Sequence, residues 1–181
     1  LSYKNKWRAT STNNIKRIQN LYHPVLTSLI WKSSAKRINP ISKIVDSDNL
    51  MIVHYEALVT SPNKVVPQIC SFIGETYEPH MLDVNKNNSS NNVTDKAIFS
   101  SSVGRWKKEL DSPEAYIADI ICRKELTSLG YKKSELSVNH AQVLWLFATL
   151  PIGILRALIA NKETTGPLLP YLGKRIYALL K

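Results

Sequence analysis

Residues 49–74, with the sequence NLMIVHYEALVTSPNKVVPQICSFIG, combine the patterns of a strand, a loop and a helix, and they constrain the fold more than any other segment. The apolar run LMIV at residues 50–53 is short and nearly uninterrupted, which predicts a strand buried on both faces. His54, Tyr55 and Glu56 follow this run. Because ligands of open α/β sheets bind beyond the carboxyl ends of the strands, these polar residues are candidates for a binding site.

A helix is predicted directly after this loop. Thr60 or Ser61 suits its N-cap, and Pro62 suits its first position because the N–H that proline lacks would have no intrahelical partner there. Gly74 suits the left-handed residue that ends a helix. Pro67 lies inside the predicted helix, where it removes one hydrogen bond and predicts a bend. The apolar face comprises Val65, Val66, Ile69, Cys70 and Ile73.

Residues 97–110 have the composition of an anion-binding loop. Ser100, Ser101 and Ser102 offer hydroxyl and backbone N–H donors. Gly104 allows the backbone to approach a ligand closely, and Arg105 offers a forked cation that matches phosphate. The arrangement Ser-x-Gly-Arg also occurs in ordinary loops, so composition alone leaves both interpretations open.

Two runs of the sequence resemble one known family. The run VHYEALVTSPNKVVPQICSFIG resembles the YEdL…P…ic.FlG strand, loop and helix of sulfotransferases that use 3′-phosphoadenosine 5′-phosphosulfate. Downstream, SSVGRWKKELDSPEAYI, followed by LGY at residues 129–131, resembles the family's cofactor-side loop and its next helix. The resemblance implies an α/β fold, with residues 1–136 forming part of a P-loop-like sulfotransferase domain that is mostly helical here.

The resemblance also implies roles for individual residues. Tyr55 would contact the adenine of the nucleotide, while Glu56 is expected to be a structural carboxylate. The residues implied for the 3′-phosphate are Ser101, Ser102, Gly104 and Arg105. The opening LSY resembles the end of the family motif R.P.d..lS.y, which adds Ser2 as a candidate contact to the same phosphate.

The phosphate loop departs from the family pattern RKG..GdWK. Phe99, Ser100 and Ser101 stand where that pattern has Arg, Lys and Gly. We therefore expect the 3′-phosphate to depend on serine hydroxyls, backbone amides and Arg105.

The reaction that the resemblance implies is in-line transfer of a sulfuryl group to an acceptor hydroxyl or amine. The family's 5′-phosphosulfate loop and its catalytic base would lie upstream of Leu1, so we expect the 181 residues to be a fragment that is inactive alone. No metal is expected, and the sequence leaves the class of the acceptor open.

The net charge favours an anionic partner. Lys and Arg number 24 against 14 Asp and Glu, which gives +10. An alternative function is therefore a non-catalytic basic module that binds a membrane surface or nucleic acid. Basic residues interleaved with stacking aromatics are not concentrated in one place, so we do not expect a nucleic-acid partner.

Cysteine usage and the absence of a signal pattern bear on the compartment. Cys70 and Cys122 have no ligand-like spacing, which favours buried reduced thiols. The sequence shows no secretory signal pattern, so we expect a cytoplasmic protein that is peripheral to a membrane at most. The oligomeric state is left open.

Two further helices are predicted within residues 1–136. Residues 21–38 show helical spacing, with Trp31 expected in the core. Asp111 or Ser112 suits the N-cap of a later helix that Gly130 would end.

Residues 137–181 are predicted to form a hydrophobic and basic helical tail. Residues 141–155 carry no charge and approach the length of a membrane span, although Pro151, Gly153 and Arg156 weaken that interpretation. Residues 166–181 have a basic amphipathic pattern that suits an anionic membrane surface. Packing on the domain or in a dimer interface carries equal weight, and spanning is the least favoured of the three.

Overall fold

The fold is described from a computed structural model, which describes Lys4, residues 14–84, Ile98, residues 100–162 and Pro170. The α-helices in these residues are α1 (Ile15–Leu21), α2 (Pro24–Ala35), α3 (Ile38–Ile44), α4 (Tyr55–Thr60), α5 (Pro62–Ile73), α6 (Trp106–Glu109), α7 (Ser112–Ser128), α8 (His140–Ala148) and α9 (Leu150–Ala160). Short 3₁₀ helices lie at Ser47–Asn49 and Pro79–Leu82.

The strand predicted for residues 50–53 is wrong. Leu50 is extended, with φ −138° and ψ 114°, but Ile52 and Val53 are exposed rather than buried. A strand needs a neighbour to pair with its backbone groups, and the described ranges contain no strand. The α/β class therefore stays a prediction, while the part of the chain that the structure describes is helical.

The helix predicted after this segment is confirmed as α5. It begins at Pro62 and is followed by Gly74, which adopts the left-handed conformation with φ 78°. Pro67 lies inside the helix. On the expected apolar face Cys70 is buried, whereas Ile73 is exposed because the described residues do not cover the end of the helix.

The core lies where α2 packs against α7, which is the most extensive helix contact in the described residues. Ile117 of α7 is fully buried and packs with Val25 of α2 and Val143 of α8. All the buried residues of α2 lie in its first half, so its second half projects beyond the core. Trp31 lies in that second half and is 39% exposed, and the prediction that it is a core residue is wrong.

Two hydrogen bonds link α2 to the middle of α7. The Lys32 ammonium donates to the Ile121 carbonyl at 2.8 Å, and the Cys122 thiol donates to the Ser28 carbonyl at 3.3 Å. Burial raises the pKa of the Cys122 thiol to about 11, and the nearby Glu125 carboxylate adds to the effect. Both Cys70 and Cys122 are buried free thiols, as expected.

The first helices of the tail pack on the domain. Helix α8 contacts α2 and α7, and α9 contacts α1 and α2. Arg17 of α1 donates from Nε to the Ala160 carbonyl at 2.7 Å, and Arg156 of α9 donates from Nη2 to the Asn20 amide oxygen at 2.9 Å. The division of the chain at residue 136 stays a prediction.

None of the described helices is by itself long and apolar enough to cross a membrane. Helices α8 and α9 reach the length and apolar composition of a membrane span only when they are taken together, and their axes are bent by 46° relative to each other.

His23, the residue before α2, lies against Gly153 of α9. A β-carbon built on Gly153 would lie 2.5 Å from Cδ2 and 2.8 Å from Cγ of the His23 ring. His23 is buried, and its Nε2 lies 3.3 Å from the Thr149 hydroxyl. Its Nδ1 is buried with no hydrogen-bond partner among the described residues. Burial lowers the pKa of His23, and the positive charge of Arg156 lowers it further.

We expect Gly153→Ala to destabilise the protein. Replacing glycine by alanine inside a helix usually stabilises by roughly 0.5–1 kcal/mol, but the new methyl group would clash with the rigid His23 ring. The free energy of unfolding, measured by urea denaturation, should fall by about 1–3 kcal/mol. The double variant His23→Ala with Gly153→Ala removes the clash, so the second substitution should then cost less. A single variant as stable as the parent would contradict this packing.

The lowered pKa of His23 predicts a loss of stability on acidification. The folded state resists protonation of this ring, so the unfolded state binds the extra proton as the pH falls below the ordinary value of 6.5. The urea concentration at the midpoint of unfolding, measured from about pH 8 down to about pH 5, should therefore decrease once the pH is below that ordinary pKa. His23→Gln should flatten the decrease, because it removes the group that is protonated in the unfolded state. Equal pH profiles for His23→Gln and the parent would contradict the prediction.

Candidate functional site

Tyr55 and Ser102, both implied as nucleotide contacts, lie side by side. Tyr55 is the first residue of α4, and Ser102 lies in the turns that precede α6. The Tyr55 hydroxyl is 2.5 Å from the Ser102 hydroxyl, although 47 positions separate the two residues in the chain. The fold therefore brings the two segments that resemble the sulfotransferase family into direct contact.

The loop before α6 consists of successive tight turns. The Val103 N–H donates to the Ser100 carbonyl at 2.9 Å, and the Arg105 N–H donates to the Ser102 carbonyl at 3.3 Å. Gly104 has φ 70°, and a β-carbon built on it would meet nothing within 4 Å. Glycine is thus needed there for its backbone conformation, and the space beside it is open to a ligand.

The Arg105 side chain is held against the first turn after the loop. Its Nε lies 3.3 Å from Oε1 of Glu109, a carboxylate one helical turn further along the chain. The same Nε is buried without a hydrogen bond, so the contact is an ion pair whose geometry falls short of a hydrogen bond. A guanidinium offers five N–H donors, and the edge that faces away from Glu109 is the one that suits an anion.

Ser101 and Ser2 are the remaining candidate contacts to the 3′-phosphate. Ser101 is exposed in the same loop as Ser102. Ser2 lies outside the described residues. The roles assigned to all six candidate residues stay predictions, and the structure brings Tyr55, Ser101, Ser102, Gly104 and Arg105 to one end of α4 and one loop.

A second contact links the same two regions and was not predicted from the sequence. The Tyr131 hydroxyl donates to Oε2 of Glu56 at 3.1 Å, and the Tyr131 ring meets the His54 ring edge-on with centroids 5.8 Å apart. Partial burial raises the pKa of Tyr131, and the Glu56 carboxylate raises it further. Glu56 therefore has a structural partner, as expected, and Tyr131 anchors the residue before Tyr55 and the residue after it.

A cluster at the N-terminus of α7 was also missed. The Lys4 ammonium lies 2.6 Å from Oε2 of Glu114 and 3.2 Å from Oδ2 of Asp111. Burial alone would lower the pKa of Lys4, but the hydrogen bonds and negative charges of these two carboxylates together raise it. Burial raises the pKa of the neighbouring Tyr22, and Glu114 contributes to that rise. The sequence signal was the pair of acids at the start of α7, namely Asp111, which was predicted only as a candidate N-cap, and Glu114.

Three hollows in the described residues lie along α7, and none of them is lined by Tyr55 or Ser102. One, of about 250 Å³, lies between α2 and α7, and another, of about 380 Å³, extends from Trp31 to Tyr131. A third, of about 540 Å³, is lined by Lys107, Lys132 and Lys133. Of the candidate nucleotide contacts, Tyr55 and Ser101 are exposed, whereas Ser102, Gly104 and Arg105 are partly buried. No cluster of three His, Cys, Asp or Glu side chains that could hold a metal ion occurs in the ranges described.

Comparison with protein families assigns the larger part of the chain to one domain family. The profile described as the sulfotransferase domain matches residues 2–130. The chain belongs to the sulfotransferase domain family. No curated protein and no solved structure gave a significant match. The matched range of this sulfotransferase domain includes α4, α5 and the Ser102–Arg105 loop, and it ends with α7, before α8 and α9 begin.

The Tyr131–Glu56 contact should stabilise the sulfotransferase domain measurably. Tyr131→Phe removes one hydrogen bond to a carboxylate, so the free energy of unfolding should fall by roughly 0.5–1.5 kcal/mol. A double-mutant cycle with Glu56→Gln, followed by urea denaturation, should show that the two substitutions are not additive. Tyr77→Phe provides the matched control, because no contact joins Tyr77 to Glu56 in the described structure. Additive effects of Tyr131→Phe and Glu56→Gln would rule out the coupling.

Proposed function

We propose that the chain binds 3′-phosphoadenosine 5′-phosphosulfate and serves in transfer of its sulfuryl group to an acceptor hydroxyl or amine. The observation that carries this proposal is the contact between Tyr55 and Ser102 inside a sulfotransferase domain. Tyr55 is implied for the adenine and Ser102 for the 3′-phosphate of one nucleotide, and the two residues are neighbours although they come from separate segments of the chain.

The residues present fit a nucleotide of this kind. The Tyr55 ring is 52% exposed, so an aromatic face is available for an adenine base to stack on. The open space beside Gly104 allows a phosphate to approach the backbone, and Ser101 and Ser102 offer hydroxyl donors. The nucleotide, when bound, supplies the activated sulfuryl group, and these residues hold and orient it.

Charge at the loop supports the same proposal. Lys107 lies two residues after Arg105, so two cationic side chains flank Trp106 in the sequence. Glu109 balances part of this charge through its ion pair with Arg105. A bound phosphate would compete with Glu109 for the guanidinium, and binding therefore depends on how that carboxylate is held.

The proposal predicts which substitutions weaken binding of 3′,5′-adenosine bisphosphate. Arg105→Ala removes a charged hydrogen-bond donor, and affinity measured by isothermal titration calorimetry should fall roughly 10- to 100-fold. Ser102→Ala removes a neutral donor, so its effect should be smaller. Glu109→Gln should raise the affinity, because it releases Arg105 from a competing carboxylate.

Lys108→Ala is the matched control for this experiment. It removes one positive charge at an exposed position of α6, three residues after Arg105, that we do not assign to the site. If Arg105→Ala and Lys108→Ala weaken binding equally, attraction is due to general charge and the assigned site is wrong. Absence of binding to the parent chain, and to a longer chain with upstream sequence, would overturn the proposed function itself.

A further inference from the structure

Helices α8 and α9 carry a row of exposed apolar side chains, which we call the tail stripe. It comprises Leu144, Trp145, Ile152, Leu155 and Ile159, which are 70%, 68%, 59%, 54% and 64% exposed. Large apolar side chains clustered at this exposure are unusual on a surface that meets only water. We propose that the tail stripe docks the protein on the surface of an anionic lipid bilayer.

The tail stripe runs along one face of both helices. Its members recur at intervals of three, four or seven residues apart from the adjacent pair Leu144 and Trp145, which is the spacing of a single helical face. The helical spacing of these side chains continues across the bend. The Thr149 N–H donates to the Trp145 carbonyl and the Gly153 N–H donates to the Thr149 carbonyl, each at 3.0 Å. The stripe is therefore one surface and not two unrelated patches.

The packing already described uses the opposite face of the same helices. Val143 is buried in the core with Ile117, and Gly153 is buried against His23. Leu146 and Leu150 also pack against that core. Docking of the stripe would therefore add burial without dismantling any contact between the tail and the domain.

The composition of the tail favours an anionic partner. Residues 137–181 contain one acid, Glu163, and five bases, namely Arg156, Lys162, Lys174, Arg175 and Lys181. An apolar face on a tail of net positive charge matches a bilayer that contains anionic lipids, which offers both acyl chains and negative headgroups. A second copy of the chain would bring the same positive charges against these, and repulsion disfavours that partner.

The contacts of α9 favour a position in the plane of the membrane surface over a span. Arg17 is bonded to the Ala160 carbonyl, and Arg156 is bonded to Asn20 of α1. If α8 and α9 crossed the bilayer as packed, these charged groups would enter the hydrocarbon, which costs several kcal/mol. With the stripe at the boundary of headgroups and acyl chains, the same groups can stay in water.

Vesicle co-sedimentation of the full chain tests the proposal. We expect binding to vesicles of phosphatidylcholine with phosphatidylserine, weaker binding to phosphatidylcholine alone, and a decrease with added salt. Leu155→Ser and Trp145→Ser should each lower the partition coefficient about tenfold or more. Ile44→Ser is the matched control, since Ile44 is 84% exposed but lies on α3 outside the stripe. Circular dichroism of each variant checks that it folds.

Tryptophan fluorescence gives a second measurement of the same event. Anionic vesicles should shift the emission of the parent to shorter wavelength, and Trp145→Phe should lose most of that shift. The proposal is overturned if anionic vesicles do not bind the chain, or if Leu155→Ser binds them as well as Ile44→Ser does. It is also overturned if the parent fails to bind vesicles but forms a dimer that Leu155→Ser dissociates, because the stripe would then face a second copy. None of these outcomes depends on nucleotide binding.

Discussion

The packing of α2 against α7 around Ile117 is the contact on which the rest of the described structure depends. Ile117 is fully buried, and the hydrogen bonds from Lys32 and Cys122 to opposite helices fix the register of the pair. The phosphate loop and α6 precede α7, and Tyr131 follows it closely. Because α7 is stiff along its length, it sets the distance between the Ser102–Arg105 loop before it and Tyr131 after it. These two regions hold the Tyr55 segment in place, and the contact of α7 with α2 fixes α7 itself. The tail helices use the same core through Val143.

Helix ends were predicted well from local sequence. Strand formation and side-chain burial, which depend on a neighbouring element, were predicted poorly. Pro62 and Gly74 mark the ends of α5 because the conformational limits of proline and glycine act within one or two residues. Residues 50–53 have a strand-like composition, but a strand forms only against another strand. Trp31 has the spacing of a buried aromatic residue, yet the buried residues of α2 all lie in its first half. Which part of a helix is covered depends on where its neighbour ends.

The candidate site shows the same division. The resemblance to sulfotransferases grouped Tyr55 with Ser102, and the structure places their hydroxyls in contact. The ties of Tyr131 to Glu56 and of Lys4 to Glu114 were not predicted, since each joins residues that are distant in the chain and carry no local pattern. The exposed face of α8 and α9 was likewise hidden in an apolar run whose two sides look alike in the sequence.

The contact between Tyr55 and Ser102 joins segments that are 47 positions apart. Closing a chain segment of that length costs conformational entropy, and a single exposed hydroxyl pair offsets little of it. A small molecule that touches both segments acts as a noncovalent cross-link, so it stabilises the folded chain in proportion to the logarithm of its concentration. If the proposed nucleotide is that molecule, the resistance of the domain to proteolysis would follow the nucleotide's concentration.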